Sequence, residues 1–249
     1  MPSSRTVVDE TCQRLGLVPD RLTAQDVRER FNPLLQSLFQ ETLNTLEEYE
    51  RQVDAGQVFP ELVGMLGEDI EREREQMRRE GDDTTAFQGA IIRLLRGWHE
   101  TLRGLFLTVS QSRKTRGGKD FEYQIQVLLE LAQIPHEVQS KRERADFILP
   151  SVDLLDHDRP RAVLLSAKRT LRERWQEVVD ELQRVNCPNT YLATTDEGLS
   201  KNVVAEIKRR NIYLVVWDHV AAGKFPDEPT VVGYSRFVAD ISSHFLPRW

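Results

Sequence analysis

A chain of 249 residues, 39% of them apolar, can bury a sizeable core, either in one large domain or in a core domain with an appendage. Its formal net charge of −6 excludes a general polyanion binder, so any nucleic-acid site must be a local basic surface on an acidic protein. Cys12 and Cys187 lack metal-ligand spacing, which excludes a cysteine-built zinc site, and with no run of membrane-span length and no secretion signal in MPSSRTVVDETCQRL a reduced, cytoplasmic protein is expected.

The first hundred or so residues read as helices. Thr23 and Asp26 form a capping-box start, followed by Leu35, Leu38, Phe39, Leu43, Leu46, Tyr49 and Val53 at helical spacing, with Gly56 closing the segment. A short helix is expected after Pro60, then a solvated one over 68–79 where charges alternate. A further helix, about 87–109, should bury Ile91, Leu94, Leu95, Trp98, Leu102, Leu105 and Phe106.

The texture changes at Ser110. SRKTRGGK (112–119) is predicted as a basic, glycine-containing loop, and the next helix should turn Phe121, Ile125, Leu128, Leu129 and Ala132 inward. Strand-like runs at 146–149, 162–167, 191–193 and 212–217 then alternate with helical patterns at 174–185 and 200–210, where Ser200 reads as an N-cap. That alternation predicts an α/β core with a mixed or largely parallel sheet, and an edge element is expected over 231–238.

Residues of one strand alternate between its two faces, so Leu164, Ser166 and Lys168 share a face and the lysine emerges at the strand end. In metal nucleases the position two before such a lysine is commonly an acid that binds the metal. Here it is Ser166, a poor ligand, and a second carboxylate must come from elsewhere. The following helix offers Glu177, Asp180 and Glu181, with Glu177 and Glu181 on one face. Asp146 would be the first ligand of a Mg²⁺ ion, which takes few protein carboxylates and activates the attacking water. Lys168 would orient that water and stabilise charge on the phosphoryl oxygens. The basic stretch Arg113, Lys114, Arg116 and Lys119 suits phosphate contacts, with Gly117 and Gly118 letting the backbone approach. Its plainer explanation is a solvated linker.

SRKTRGGKDFE leading into a helix, RADFILP, SAKRTLRERW with Glu181 downstream, and YLATTDEGLS before a helix and strand together resemble a known family. They look like the type II restriction endonucleases related to the catalytic domain of EcoRII, to PspGI and more distantly to NgoMIV, within the PD-(D/E)xK superfamily. The resemblance runs from about Ser110 to Val216. It implies that Asp146, Lys168 and Glu181 are the catalytic set, with Asp146 and Glu181 on the metal, and that Glu122 is an additional supporting acid. It also implies that Arg172, Glu173 and Arg174 read a CC/GG core; an arginine fork suits guanine and a glutamate suits the cytosine amino group. RADF departs from the proline-aspartate start of the superfamily name.

The expectation is therefore a PD-(D/E)xK restriction-endonuclease-like α/β domain over 110–249, its mixed sheet flanked by helices, preceded by a helical region over 1–109. Its function would be Mg²⁺-dependent cleavage of double-stranded DNA at a short palindromic or near-palindromic CC/GG site. A homodimer, or a tetramer, would present one active site to each strand. The rival readings are a low-specificity repair or anti-phage nuclease, a catalytically silent DNA-binding module, and a helical half that serves as a partner-binding platform.

Overall fold

The computed structural model describes residues 2–81, 83–138, 145–171 and 175–249, excepting the side chains at 55, 108–110, 112, 114, 115 and 177. The N-terminal helix α1 (Ser4–Leu15) is capped by Ser3 and ended by Gly16 at φ 67°, a left-handed conformation that glycine adopts without a Cβ clash. Both halves of the predicted capping box open α2 (Ala24–Glu29): Asp26 N–H donates to the Thr23 hydroxyl at 3.1 Å, and Thr23 N–H to the Asp26 carboxylate at 3.0 Å.

Helix α3 (Phe31–Val53) does not stop at Gly56. A π-helical turn (Asp54–Val58) leads straight into α4 (Phe59–Glu80). Pro60 explains the turn, since it lacks an N–H and its ring crowds the carbonyl four residues back, which the wider turn accommodates. Helix α5 (Thr84–Leu131) contains the whole of residues 112–119. The predicted basic loop is thus corrected to helix: good helix formers on both sides carry Gly117 and Gly118, whose local cost is only about 1 kcal/mol each.

Two compact units divide the chain, one of residues 44–116 and one of 2–43 with 117–249. The boundary expected at 109/110 falls within α5, as does the division at 116/117. Val8, Phe31, Leu35 and Leu38 belong to the same buried cluster as the strands, a long-range partnership that local helical pattern does not reveal.

The 44–116 unit pairs its helices through polar contacts. Arg93 reaches Glu73 at 2.6 Å, the Trp98 indole donates to Asp69 at 2.8 Å, and Arg113 forks onto Glu50, so partner numbers fall as one ascends the other helix and the packing is antiparallel. Of the stripe expected to be buried, Leu94, Trp98, Leu102 and Leu105 are half-buried while Ile91, Leu95 and Phe106 are exposed. A single neighbouring helix covers only a narrow seam of the 100°-wide apolar stripe.

In the other unit a six-stranded sheet runs in sequential order. Its strands are β1 (Glu137–Val138), β2 (Phe147–Leu149), β3 (Val163–Lys168), β4 (Thr190–Thr194), β5 (Ile212–Val216) and β6 (Val231–Gly233). The first two pairings are antiparallel and the next three parallel. Helix α6 (Val152–His157) lies between β2 and β3, and α7 (Trp175–Val185), α8 (Lys201–Arg209) and α9 (Asp218–Lys224) connect the parallel strands. Val163 to Ala167 are buried without alternation, as expected of a strand covered on both faces. The predicted inward face of α5 holds throughout, from Phe121 to Ala132.

The edge element expected over 231–238 is half strand: β6 ends at Gly233 and α10 (Tyr234–Asp240) begins. A Cβ at Gly233 would run into the Asp218 carboxylate and Cα, and that carboxylate accepts the Ser235 N–H at 3.0 Å. Cys12 and Cys187 are buried free thiols. Among the described residues no helix is long and apolar enough to cross a membrane.

Candidate active site

The β2–β3 register pairs Leu149 with Val163 and Phe147 with Leu165. Carried one step further, it sets Asp146 opposite Ser166. Strand alternation then turns Ser166 and Lys168 to the same side. Buried Asp146 collects them all: its Oδ2 accepts from the Ser166 hydroxyl at 2.8 Å, from Ala167 N–H at 2.7 Å and from Lys168 Nζ at 2.8 Å, while Nζ lies 3.1 Å from Oδ1. Charge-assisted bonds of this kind are roughly twice as strong as neutral ones, so the acid and the lysine hold each other in place. Sequence reasoning saw Ser166 only as a missing acid. It is a donor that orients Asp146, and its position on the lysine's face was the available signal.

Glu122 approaches from α5, its carboxylate 3.9 Å from Lys168 Nζ. Burial, and then the charge of Asp146, push its pKa from an ordinary 4.5 to about 7, against the pull of Lys168 and Lys119. The folded protein therefore binds this proton more tightly than the unfolded chain. The associated stability is fully present below pH 4.5 and is lost as pH rises through about 7. In metal-free protein, Glu122→Gln should flatten that part of the stability profile, measured by urea denaturation between pH 4.5 and 8; an unchanged slope would remove Glu122 as its source.

The other predicted site residues are distributed differently. Glu181 stands half-buried on α7 beside buried Leu182, whereas Asp180 pairs with Arg210. Arg172, Glu173 and Arg174 lie outside the described residues, as does the side chain of Glu177. On α5, Arg113 is engaged with Glu50, Arg116 is half-buried and Lys119 is exposed near Glu122; Lys114 belongs to the helix, its side chain outside the description. The group assembled around Lys168 is thus Asp146 and Glu122.

Among the described residues no three His, Cys, Asp or Glu side chains converge as a metal cage. The donors present nevertheless fit a magnesium ion. Asp146 offers hard carboxylate oxygens, Glu122 adds a second acid close enough for the Asp146 charge to raise its pKa, and Mg²⁺ needs only one or two carboxylate ligands while keeping several waters.

Known structures share this architecture. Ecl18kI, solved metal-depleted in complex with uncleaved DNA, superposes with a TM-score of 0.84 at 23% identity, covering 100% of this chain and 80% of its own. A PspGI–substrate DNA complex gives a TM-score of 0.67 at 21% identity, covering 100% of this chain and 95% of its own. At such identities the likeness establishes the fold, that of restriction endonucleases. Among relatives by sequence is the type II restriction enzyme SsoII of Shigella sonnei, 34% identical over 122 residues. The match covers 45% of this chain, which spans only 40% of that relative's length. The family model described as EcoRII C terminal matches residues 95–238, more than half of the chain and the part that carries Glu122, Asp146 and Lys168, and the chain belongs to that family.

Proposed function

We propose that this protein is a Mg²⁺-dependent type II restriction endonuclease that hydrolyses double-stranded DNA at a short, palindromic or near-palindromic site with a CC/GG core. The observation that carries the reading is the convergence of Lys168 Nζ on Asp146 beside Glu122, in a chain of the EcoRII C-terminal family. The relatives' descriptions add support: SsoII is a type II restriction enzyme, and Ecl18kI was captured metal-depleted with its DNA uncleaved.

Asp146 would ligate the metal and fix the direction of Lys168, with Glu181 on α7 as second ligand and Glu122 as supporting acid. When bound, the magnesium ion supplies Lewis acidity toward the scissile phosphate and its water. Lys168 orients the attacking water and stabilises charge on the phosphoryl oxygens, at the end of a strand whose position is set by the sheet. Arg172, Glu173 and Arg174, only four to six residues beyond Lys168, read the bases. Lys119, Arg116, Lys114 and Arg113 on α5 contact phosphates, Arg113 by exchanging Glu50 for a phosphate. A homodimer, or a tetramer, matches the two-fold symmetry of the site.

The test is digestion of a sequenced plasmid with purified protein and Mg²⁺, followed by end mapping. Discrete fragments whose ends share a CC/GG core are expected. A smear would make this a low-specificity nuclease, and DNA binding without cutting would make it a silent binding module. On the mapped site, Arg174→Ala should lose about 1–3 kcal/mol of discrimination at one guanine. Equal weakening on unrelated DNA would instead make Arg174 a phosphate contact.

A further inference from the structure

Between Lys168 and the residues assigned to base reading lies a three-residue segment, 169–171, that no part of the nuclease chemistry uses. The backbone ladder between β3 and β4 ends at the pair Lys168 and Thr194. Side chains continue it where the ladder stops. The hydroxyls of Thr194 and Thr195 both donate to the Arg169 carbonyl, at 3.3 and 2.9 Å, and the Asp196 carboxylate accepts Leu171 N–H at 3.1 Å. Asp196 is itself held: its other oxygen accepts Gly198 N–H at 2.8 Å, and its own N–H donates to Thr194 Oγ at 3.1 Å. Beneath it, the buried Tyr234 hydroxyl donates to the Thr194 carbonyl at 3.1 Å.

Two of the segment's side chains are packed as well. Leu171 is buried, and the Arg169 guanidinium lies over the Phe39 ring, 5.2 Å from its centroid. Gly117 on α5 leaves room for that guanidinium, since a Cβ there would collide with Nη1. Three consecutive side chains of the β4 exit, Thr194, Thr195 and Asp196, thus serve the backbone of this connection.

We infer that Thr195 and Asp196 are positioning residues for DNA reading: they fix the backbone at Arg169 and Leu171 and so set where the chain enters the reading residues that follow. This role rests on the proposed function. Lys168 is secured independently by Asp146, so releasing the clamp leaves the lysine in place while the entry to residue 172 loosens. The expected loss therefore falls on discrimination rather than on the chemical step. Misplacement of a recognition group by about 1 Å can cost up to a hundredfold, so a loss of about tenfold is expected for one bond of the clamp.

The experiment compares cleavage of a duplex carrying the wild-type mapped site with duplexes changed at one core base, for wild type, Thr195→Val, Thr195→Ser and Asp196→Ala. Thr195 is half-buried and valine matches its shape, so the variant keeps its packing while losing the donor. The inference predicts that Thr195→Val and Asp196→Ala lower the ratio of cognate to altered-site kcat/KM about tenfold, and that Thr195→Ser, which keeps the hydroxyl, restores it. Equal slowing on all duplexes, an unchanged ratio, or serine behaving like valine would each overturn the positioning role while the nuclease reading stands. A wild-type protein with no preference among the duplexes would overturn that reading, and the positioning role with it.

Discussion

Lys168→Ala is expected to leave a folded protein that still binds its DNA site but cuts it roughly 10²–10³-fold more slowly, the loss typical of removing one group aimed at transition-state charge. Lys168 ends β3 with its side chain one-third exposed, so no core is opened by its removal. Asp146 keeps two of its donors, the Ser166 hydroxyl and the Ala167 N–H, and so stays in position. What disappears is the ammonium that would face the phosphoryl oxygens. Single-turnover cleavage with Mg²⁺, beside binding measured in chelator, separates the two steps. Cutting within a few-fold of wild type would take Lys168 out of the mechanism. The same variant removes one of the two positive charges that hold the Glu122 pKa down, so that value should climb above about 7.

Asp146→Asn is expected to be the more damaging of the two changes. One carboxylate oxygen becomes an amide nitrogen: in place of Oδ2 it takes the acceptor from Ser166, Ala167 N–H and Lys168 together, and in place of Oδ1 it takes one of the two acceptors of Lys168. A buried donor left unsatisfied costs about 1–3 kcal/mol of stability, visible as a lowered urea midpoint. Cleavage should fall at least as far as in Lys168→Ala, and magnesium affinity measured by calorimetry should fall with it. The sign at Glu122 reverses: removing the Asp146 charge takes away the second cause of its raised pKa, so the value should drop from about 7 toward its ordinary range. An Asp146→Asn protein that cuts and binds metal normally would sink the proposed ligand set. Opposite Glu122 shifts in the two variants, followed by NMR titration of the carboxyl carbon, would tie the three side chains into one electrostatic unit.

What could be read from the sequence was whatever local pattern decides. Strand alternation set Ser166 and Lys168 on one face, the Thr23 and Asp26 hydroxyl–acid spacing made a capping box, Ser200 caps α8, and the apolar period from Phe121 to Ala132 marks a buried face. Local pattern misled where tertiary partners decide. Gly117 and Gly118 suggested a loop, yet the helical tendency on both sides prevails and one of the glycines makes room for Arg169. The stripe from Ile91 to Phe106 had the period of a core helix but has too little packed against it to be buried. Among the candidate site residues, Asp146 and Lys168 came from strand pattern and Glu122 from the resemblance, and the fold sets all three side by side. The sequence placed Ser166 on the lysine's face, but its partner Asp146 follows from a register that only the folded sheet displays.

The unit that holds the candidate site is discontinuous: residues 44–116 are inserted between residues 2–43 and 117–249. Val8, Leu35 and Leu38 are thus synthesised first but bury their surface against strands that emerge more than a hundred residues later. At about 5–20 residues per second, a separation of about a hundred residues keeps the earliest helices waiting at least roughly five to twenty seconds for their partners. During synthesis the apolar faces of α1 and α3 therefore stay open until the strands of their shared cluster have followed.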